Sequence, residues 1–152
     1  MRADFTLYTP EYISGVMSLR KPQKKSLEIL DIIVNSVNLK KGMNLQAALG
    51  AVKALYPTCT DFERDFMSLT FALATGVGKT RLMGAFIAYL YTQHNIKNFF
   101  VVAPNTTIYN KLCRDLNDNN SPKYVFRGLS CFVNAPPVSY THLRAHETSQ
   151  DL

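Results

Sequence analysis

The sequence predicts an α/β domain: a parallel sheet flanked by helices, with a helical segment in front of it. Three observations lead there. Apolar residues alternate with small ones in Met67-Ser-Leu69-Thr-Phe71-Ala-Leu73-Ala74, and Asn98-Phe-Phe-Val-Val-Ala103 is a short apolar run, so both stretches read as strands. A glycine turn, Thr75-Gly76-Val77-Gly78-Lys79-Thr80, follows the first stretch and opens a helical pattern. Strand, helix, strand, helix in this rhythm implies parallel pairing through right-handed crossovers. The 152 residues suffice for one domain and not for two complete ones, and 47% apolar with 18% charged residues is globular composition.

The elements follow in chain order. A helix is expected across 18–34, with Pro22 in its first turn and apolar residues on more than one face, as for a helix packed between layers. Asn44 is an acceptable N-cap for a second helix carrying Leu45, Ala48, Leu49, Val52 and Leu55 before Pro57. After the loop 58–61 come the first strand, the glycine turn and a helix over 81–93, with Leu82, Phe86, Tyr89 and Leu90 on one side. The second strand ends at Pro104-Asn105. A shorter helix over 107–116 turns Leu112 and Leu116 inward, and a polar turn leads to a weaker strand around Tyr124-Val125-Phe126. His94 falls at a helix end, where capping or a dipole contact is expected.

Lys and Arg number 17 against 11 Asp and Glu, so the net charge of +6 favours polyanions such as nucleotides and nucleic acid. Cys59, Cys113 and Cys131 are odd in number and widely spaced, which supports neither a disulfide framework nor a zinc cluster and fits the cytoplasm. No apolar run approaches the ~18 residues of a membrane span, and the N-terminus has no signal-peptide pattern, so no membrane partner is expected.

The glycine turn carries the chemistry. Gly76 and Gly78 allow backbone N–H groups to converge on phosphate oxygens, and the positive end of the following helix favours the same anion. Lys79 reaches the β and γ phosphates and is the expected catalytic residue, while the Thr80 hydroxyl is suited to Mg²⁺. The strict pattern has glycine where this chain has Leu73, so the match is to a relaxed form. ATP and Mg²⁺ are the expected cofactors.

Leu73-Ala-Thr-Gly-Val-Gly-Lys-Thr80 resembles motif I of superfamily 2 helicases and translocases. With Phe62-Glu63-Arg64, the run Arg81-Leu-Met-Gly-Ala-Phe86 and Asn98 to Asn105, the region 18–133 resembles the restriction (Res) subunit of type III restriction-modification enzymes and its DEAD/DEAH-like relatives. The resemblance implies a RecA-like P-loop NTPase domain in which Thr75, Gly76, Val77, Gly78, Lys79, Thr80 and Arg81 bind nucleotide. It also implies that Asn105, Thr106 and Thr107, in the position of motif Ia, touch the DNA backbone; ordinary helix capping by Asn105 or Thr106 is the alternative. Within Leu19-Arg20-Lys21-Pro22-Gln23, the resemblance makes Gln23 a reader of the adenine edge, against a solvent-facing glutamine. Implied partners are double-stranded DNA and a methyltransferase/specificity (Mod) subunit, and an implied later domain is an endonuclease.

Two features set this chain apart from that family. Hydrolysis needs an acidic pair to hold Mg²⁺ and orient water, and no Asp-Glu-x-His or related pair occurs. Moreover, Val138-Ser-Tyr-Thr-His-Leu-Arg-Ala-His-Glu-Thr148 resembles the in-frame translation of a transposase-library sequencing adapter, against the alternative of a metal-binding His142 and His146 pair at i, i+4. Without residues 138–152 the net charge becomes +7, because one Arg and two acids, Glu147 and Asp151, are removed. The expected organisation is a helical segment over 1–60, an incomplete first motor domain over 61–137 and a non-native tail over 138–152. The piece itself is expected to be inactive, and its parent an ATP-dependent helicase or translocase. A kinase-like P-loop enzyme and a non-enzymatic nucleotide-dependent interaction module are the alternatives.

Overall fold

The computed structural model describes residues 6–37 and 39–132. The stretch 138–152, with His142 and His146, lies outside the described residues. Among the described residues five helices form in order: α1 Pro10–Val16, α2 Lys21–Ser36, α3 Leu45–Leu55, α4 Lys79–Gln93 and α5 Thr106–Leu116, followed by a 3₁₀ turn at Ser130–Phe132.

Each start has a local cause. Thr9 accepts a hydrogen bond from the Tyr12 N–H at 3.2 Å, with Pro10 and Glu11 in the first turn of α1. Asn44 and Asn105 do the same for Ala47 and Ile108, at 3.0 and 2.9 Å. At α2 the third helical residue, Gln23, accepts from the N–H of the N-cap residue Arg20 at 2.7 Å, which is one half of a capping box.

Helix α2 lies between two apolar clusters, as its many-sided apolar pattern implies. Leu27, Leu30 and Val34 pack with Ala85, Ala88 and Tyr89 of α4, together with Leu112, Leu116 and Phe126. Ile33 and Val37 face Ala48 and Val52 of α3 and Phe62. Helix α1 closes over α2 and α4, and α5 packs on α4. Gly84 of α4 lets the segment around Val125 come close, since a Cβ there would stand 2.7 Å from Val125 Cγ2. The Tyr8 hydroxyl, 2.7 Å from Ser130 Oγ and 2.9 Å from the Cys131 N–H, joins the start of the described chain to its end.

The expected parallel sheet is not present, which corrects the α/β, RecA-like reading of the fold. Among the described residues there is no strand, and no backbone hydrogen bond joins 67–74 to 98–103. Both segments are extended. Leu69 and Phe71, and likewise Phe99, Val101 and Ala103, lean on the large cluster, while Phe100 and Val102 remain 81% and 72% exposed. The alternation therefore records which face is buried. A sheet further requires partners at about 4.7–4.9 Å exchanging N–H···O=C bonds, and neither segment has one. The region 124–126 is a turn whose Val125 N–H donates to the Asp115 carbonyl at 2.8 Å.

Candidate nucleotide-binding turn

The turn 75–80 projects from the start of α4. Gly76 and Gly78 have φ of +81° and +94°, the left-handed region that a residue with a Cβ enters at a cost of about 1–2 kcal/mol. Gly78 is the N-cap of α4, and its carbonyl accepts from the Arg81 and Leu82 N–H groups at 3.0 and 3.2 Å. Among the described residues, no hydrogen bond is made by the amide N–H groups of Gly76, Val77, Gly78, Lys79 or Thr80. Lys79 is exposed, and among the described residues it forms no ion pair; Thr75 is exposed and Thr80 half-buried.

The charges conflict with the helix they start. The first turn of α4 holds Lys79 and Arg81 and no acid. Cations at a helix N-terminus oppose the macrodipole by about 0.3–1 kcal/mol, and free N–H groups add to the positive potential. An anion resolves both. Unsatisfied amides, a free ammonium and a hydroxyl at the next position are the donor set that a polyphosphate with Mg²⁺ requires.

The other predicted site residues fall in two places. Gln23 is 1% exposed rather than solvent-facing, and its amide is engaged at both ends: Oε1 by the Arg20 N–H, and Nε2 donating to the Gly78 carbonyl at 2.8 Å. Contact with an adenine edge would require that amide to exchange these partners for the base. Arg20 reaches the same turn, its guanidinium donating to the Gly76 carbonyl at 3.1 Å. Arg81 turns the other way, to the Met17 carbonyl at the end of α1, at 2.9 Å. Asn105 uses its Oδ1 to cap α5, leaving Thr106 and Thr107 exposed on the first turn.

Sequence reasoning missed the contact of Arg20 with the turn and a polar cluster at the far end of α4. There Tyr89 donates a very short hydrogen bond to Asp31, Asn35 donates to the same carboxylate at 2.9 Å, and His94 Nε2 sits 3.1 Å from the Tyr89 hydroxyl. Burial raises the Tyr89 phenol well above its usual range, reinforced by Asp31. Burial also lowers His94, against the pull of the Asp31 charge. A tyrosine at the spacing of Asp31 and His94 gave no motif to find.

A cavity of about 500 Å³ opens elsewhere, between α2, α3 and the extended stretch 68–72, and no residue of the turn lines it. No helix among the described residues is long and apolar enough to cross a membrane. Residues 16–134 match the family described as "Type III restriction enzyme, res subunit". No curated protein and no solved structure matches the chain.

Proposed function

Because the chain belongs to the family of type III restriction enzyme res subunits, an ATP-dependent, helicase-like class, we propose that the turn 75–80 binds the triphosphate of ATP and that the intact res subunit couples ATP turnover to work on double-stranded DNA. The observation that carries this reading is the unpaired amides of Gly76 to Thr80 beside an exposed Lys79 at the start of α4.

The chain's own residues have distinct tasks. The N–H groups of Gly76 to Thr80 hold phosphate oxygens in a fixed array, so charge that develops during transfer meets dipoles already oriented. Lys79 supplies the mobile positive charge at the β and γ phosphates. The Thr80 hydroxyl is the residue to hold Mg²⁺, which neutralises phosphate charge when bound. The acid that orients water is absent from this sequence, so turnover is assigned to the intact subunit and binding to this chain.

Asn105, Thr106 and Thr107 offer an amide and two hydroxyls at a helix start, groups that hold DNA phosphates without reading bases. A Mod subunit as partner, DNA cleavage and work in the cytoplasm complete the proposal, and membership of the family is what supports them. Equilibrium binding of ATP with Mg²⁺ tests the core of the proposal. Wild-type chain should bind, and Lys79→Ala should lose at least roughly tenfold, the scale of one charge-assisted hydrogen bond. Equal binding by the two proteins would remove the phosphate-loop assignment.

A further inference from the structure

The first turn of α2 and the phosphate turn are 55 residues apart in sequence yet joined by two hydrogen bonds to backbone carbonyls, Gln23 Nε2 to Gly78 and the Arg20 guanidinium to Gly76. In a planar trans peptide the C=O and the N–H of the next residue point in opposite directions. The Gly78 carbonyl accepts from the Arg81 and Leu82 N–H groups as well, so Gln23 joins them in aiming the Lys79 N–H outward, and a side chain that holds the Gly76 carbonyl acts in the same way on the Val77 N–H. Both of these amides belong to the unpaired set at the start of α4.

The two contacts differ in strength. Arg20 is exposed, so water competes for its bond. Gln23 is 1% exposed, and its Oε1 is held at 2.7 Å by the Arg20 N–H, which leaves Nε2 little freedom to turn elsewhere. The fit is close enough that a Cβ on Gly78 would lie 2.7 Å from Gln23 Nε2. A buried amide with both ends engaged is costly to disturb.

We propose that Gln23 is a positioning residue of the phosphate turn: by bonding the Gly78 carbonyl beside the Arg81 and Leu82 N–H groups it steadies the direction of the Lys79 N–H, and so raises affinity for the polyphosphate rather than for the base. Arg20 supports it by locking Gln23 Oε1 and the Gly76 carbonyl. The inference rests on the phosphate-loop reading above, and it assigns Gln23 a contribution shared by every nucleoside triphosphate.

The test uses the full chain and three probes: ATP, GTP and inorganic tripolyphosphate, which has no base. Gln23→Met keeps the side-chain length and removes both polar ends; Gln23→Ala removes the side chain altogether. Binding is measured by calorimetry, with far-UV circular dichroism and a thermal melt on each variant to establish that it is folded. Backbone amide resonances of Val77 and Lys79 report the local geometry.

The expected result is a roughly tenfold loss for all three probes in a folded Gln23→Met chain, the equivalent of one hydrogen bond, with a displaced Lys79 resonance. Should Gln23→Ala unfold, the Met variant alone decides the matter. A loss confined to ATP would make Gln23 an adenine reader and overturn the proposal. Undiminished binding of all three probes, or an unmoved Lys79 amide, would overturn it as well. If wild-type chain binds neither ATP nor tripolyphosphate and Lys79→Ala behaves identically, the phosphate-loop reading falls and the positioning role falls with it. That pattern is distinct from one in which wild type binds and Gln23→Met binds equally.

Discussion

Replacing Gly76 or Gly78 with alanine separates two costs that coincide at Gly78. At Gly76, φ is +81° and a new Cβ would meet nothing within 4 Å, so Gly76→Ala carries only the left-handed backbone penalty of about 1–2 kcal/mol. At Gly78, φ is +94°, so the same penalty applies, and the new Cβ also stands 2.7 Å from Gln23 Nε2. The end of a glutamine can swing, but here it leaves the Gly78 carbonyl and breaks a buried amide's pairing, at about 1–3 kcal/mol. Gly78→Ala should therefore cost about 2–5 kcal/mol in all, exceeding Gly76→Ala by the Gln23 contribution. Urea unfolding followed by circular dichroism reads that difference as a midpoint about 0.5–1.5 M lower for Gly78→Ala, at a slope of about 2 kcal/mol per M. Coincident midpoints for the two variants would refute the claim that Gln23 is packed and bonded against Gly78.

Two further outcomes test the outer parts of the structure. Asn105→Ala removes the side-chain cap on the Ile108 N–H and should destabilise the chain by about 1 kcal/mol in the same urea assay, while Asn105→Ser, another good cap, should recover most of it. His94 has a lowered pKa because of its burial beside Tyr89, with the Asp31 charge opposing the shift. The unfolded chain therefore binds that proton more readily than the folded one, so stability present above the ordinary histidine value of about 6.5 is lost as pH falls through it and on toward the lowered folded value. Thermal melts at descending pH should show this decline in wild type and a shallower one in His94→Gln; parallel pH profiles would show that His94 does not titrate in this range.

Much of the helical framework was legible because helix starts are local. Asn44 and Asn105 announce α3 and α5 by their own side chains, and Pro22 marks the first turn of α2. Helix α1 carries an equally local signal in Thr9-Pro10-Glu11, but at seven residues it is too short for apolar periodicity to flag. The strands were misread for a physical reason. Alternation in 67–74 and 98–103 reports that one face is buried against α4 and its neighbours, and the same pattern arises whether or not a ladder partner lies alongside. The glycine turn before α4 was readable as a turn because Gly76 and Gly78 supply the positive φ it uses. The contact of Gln23 with that turn was not, since it depends on a carbonyl 55 residues away that α2 reaches only by packing against α4. The cluster of Asp31, Tyr89 and His94 is hidden for the same reason, being assembled across α2 and α4.

The central claim is that the amides at the start of α4 form an anion site for a nucleotide. A titration of isotopically labelled chain with ATP and Mg²⁺, followed through its backbone amide resonances, tests it most directly. The account predicts saturable shifts that are largest at Gly76, Val77, Gly78, Lys79 and Thr80, and that need at least roughly tenfold more ATP in Lys79→Ala. Saturable shifts centred elsewhere, with those five amides unmoved, would contradict it.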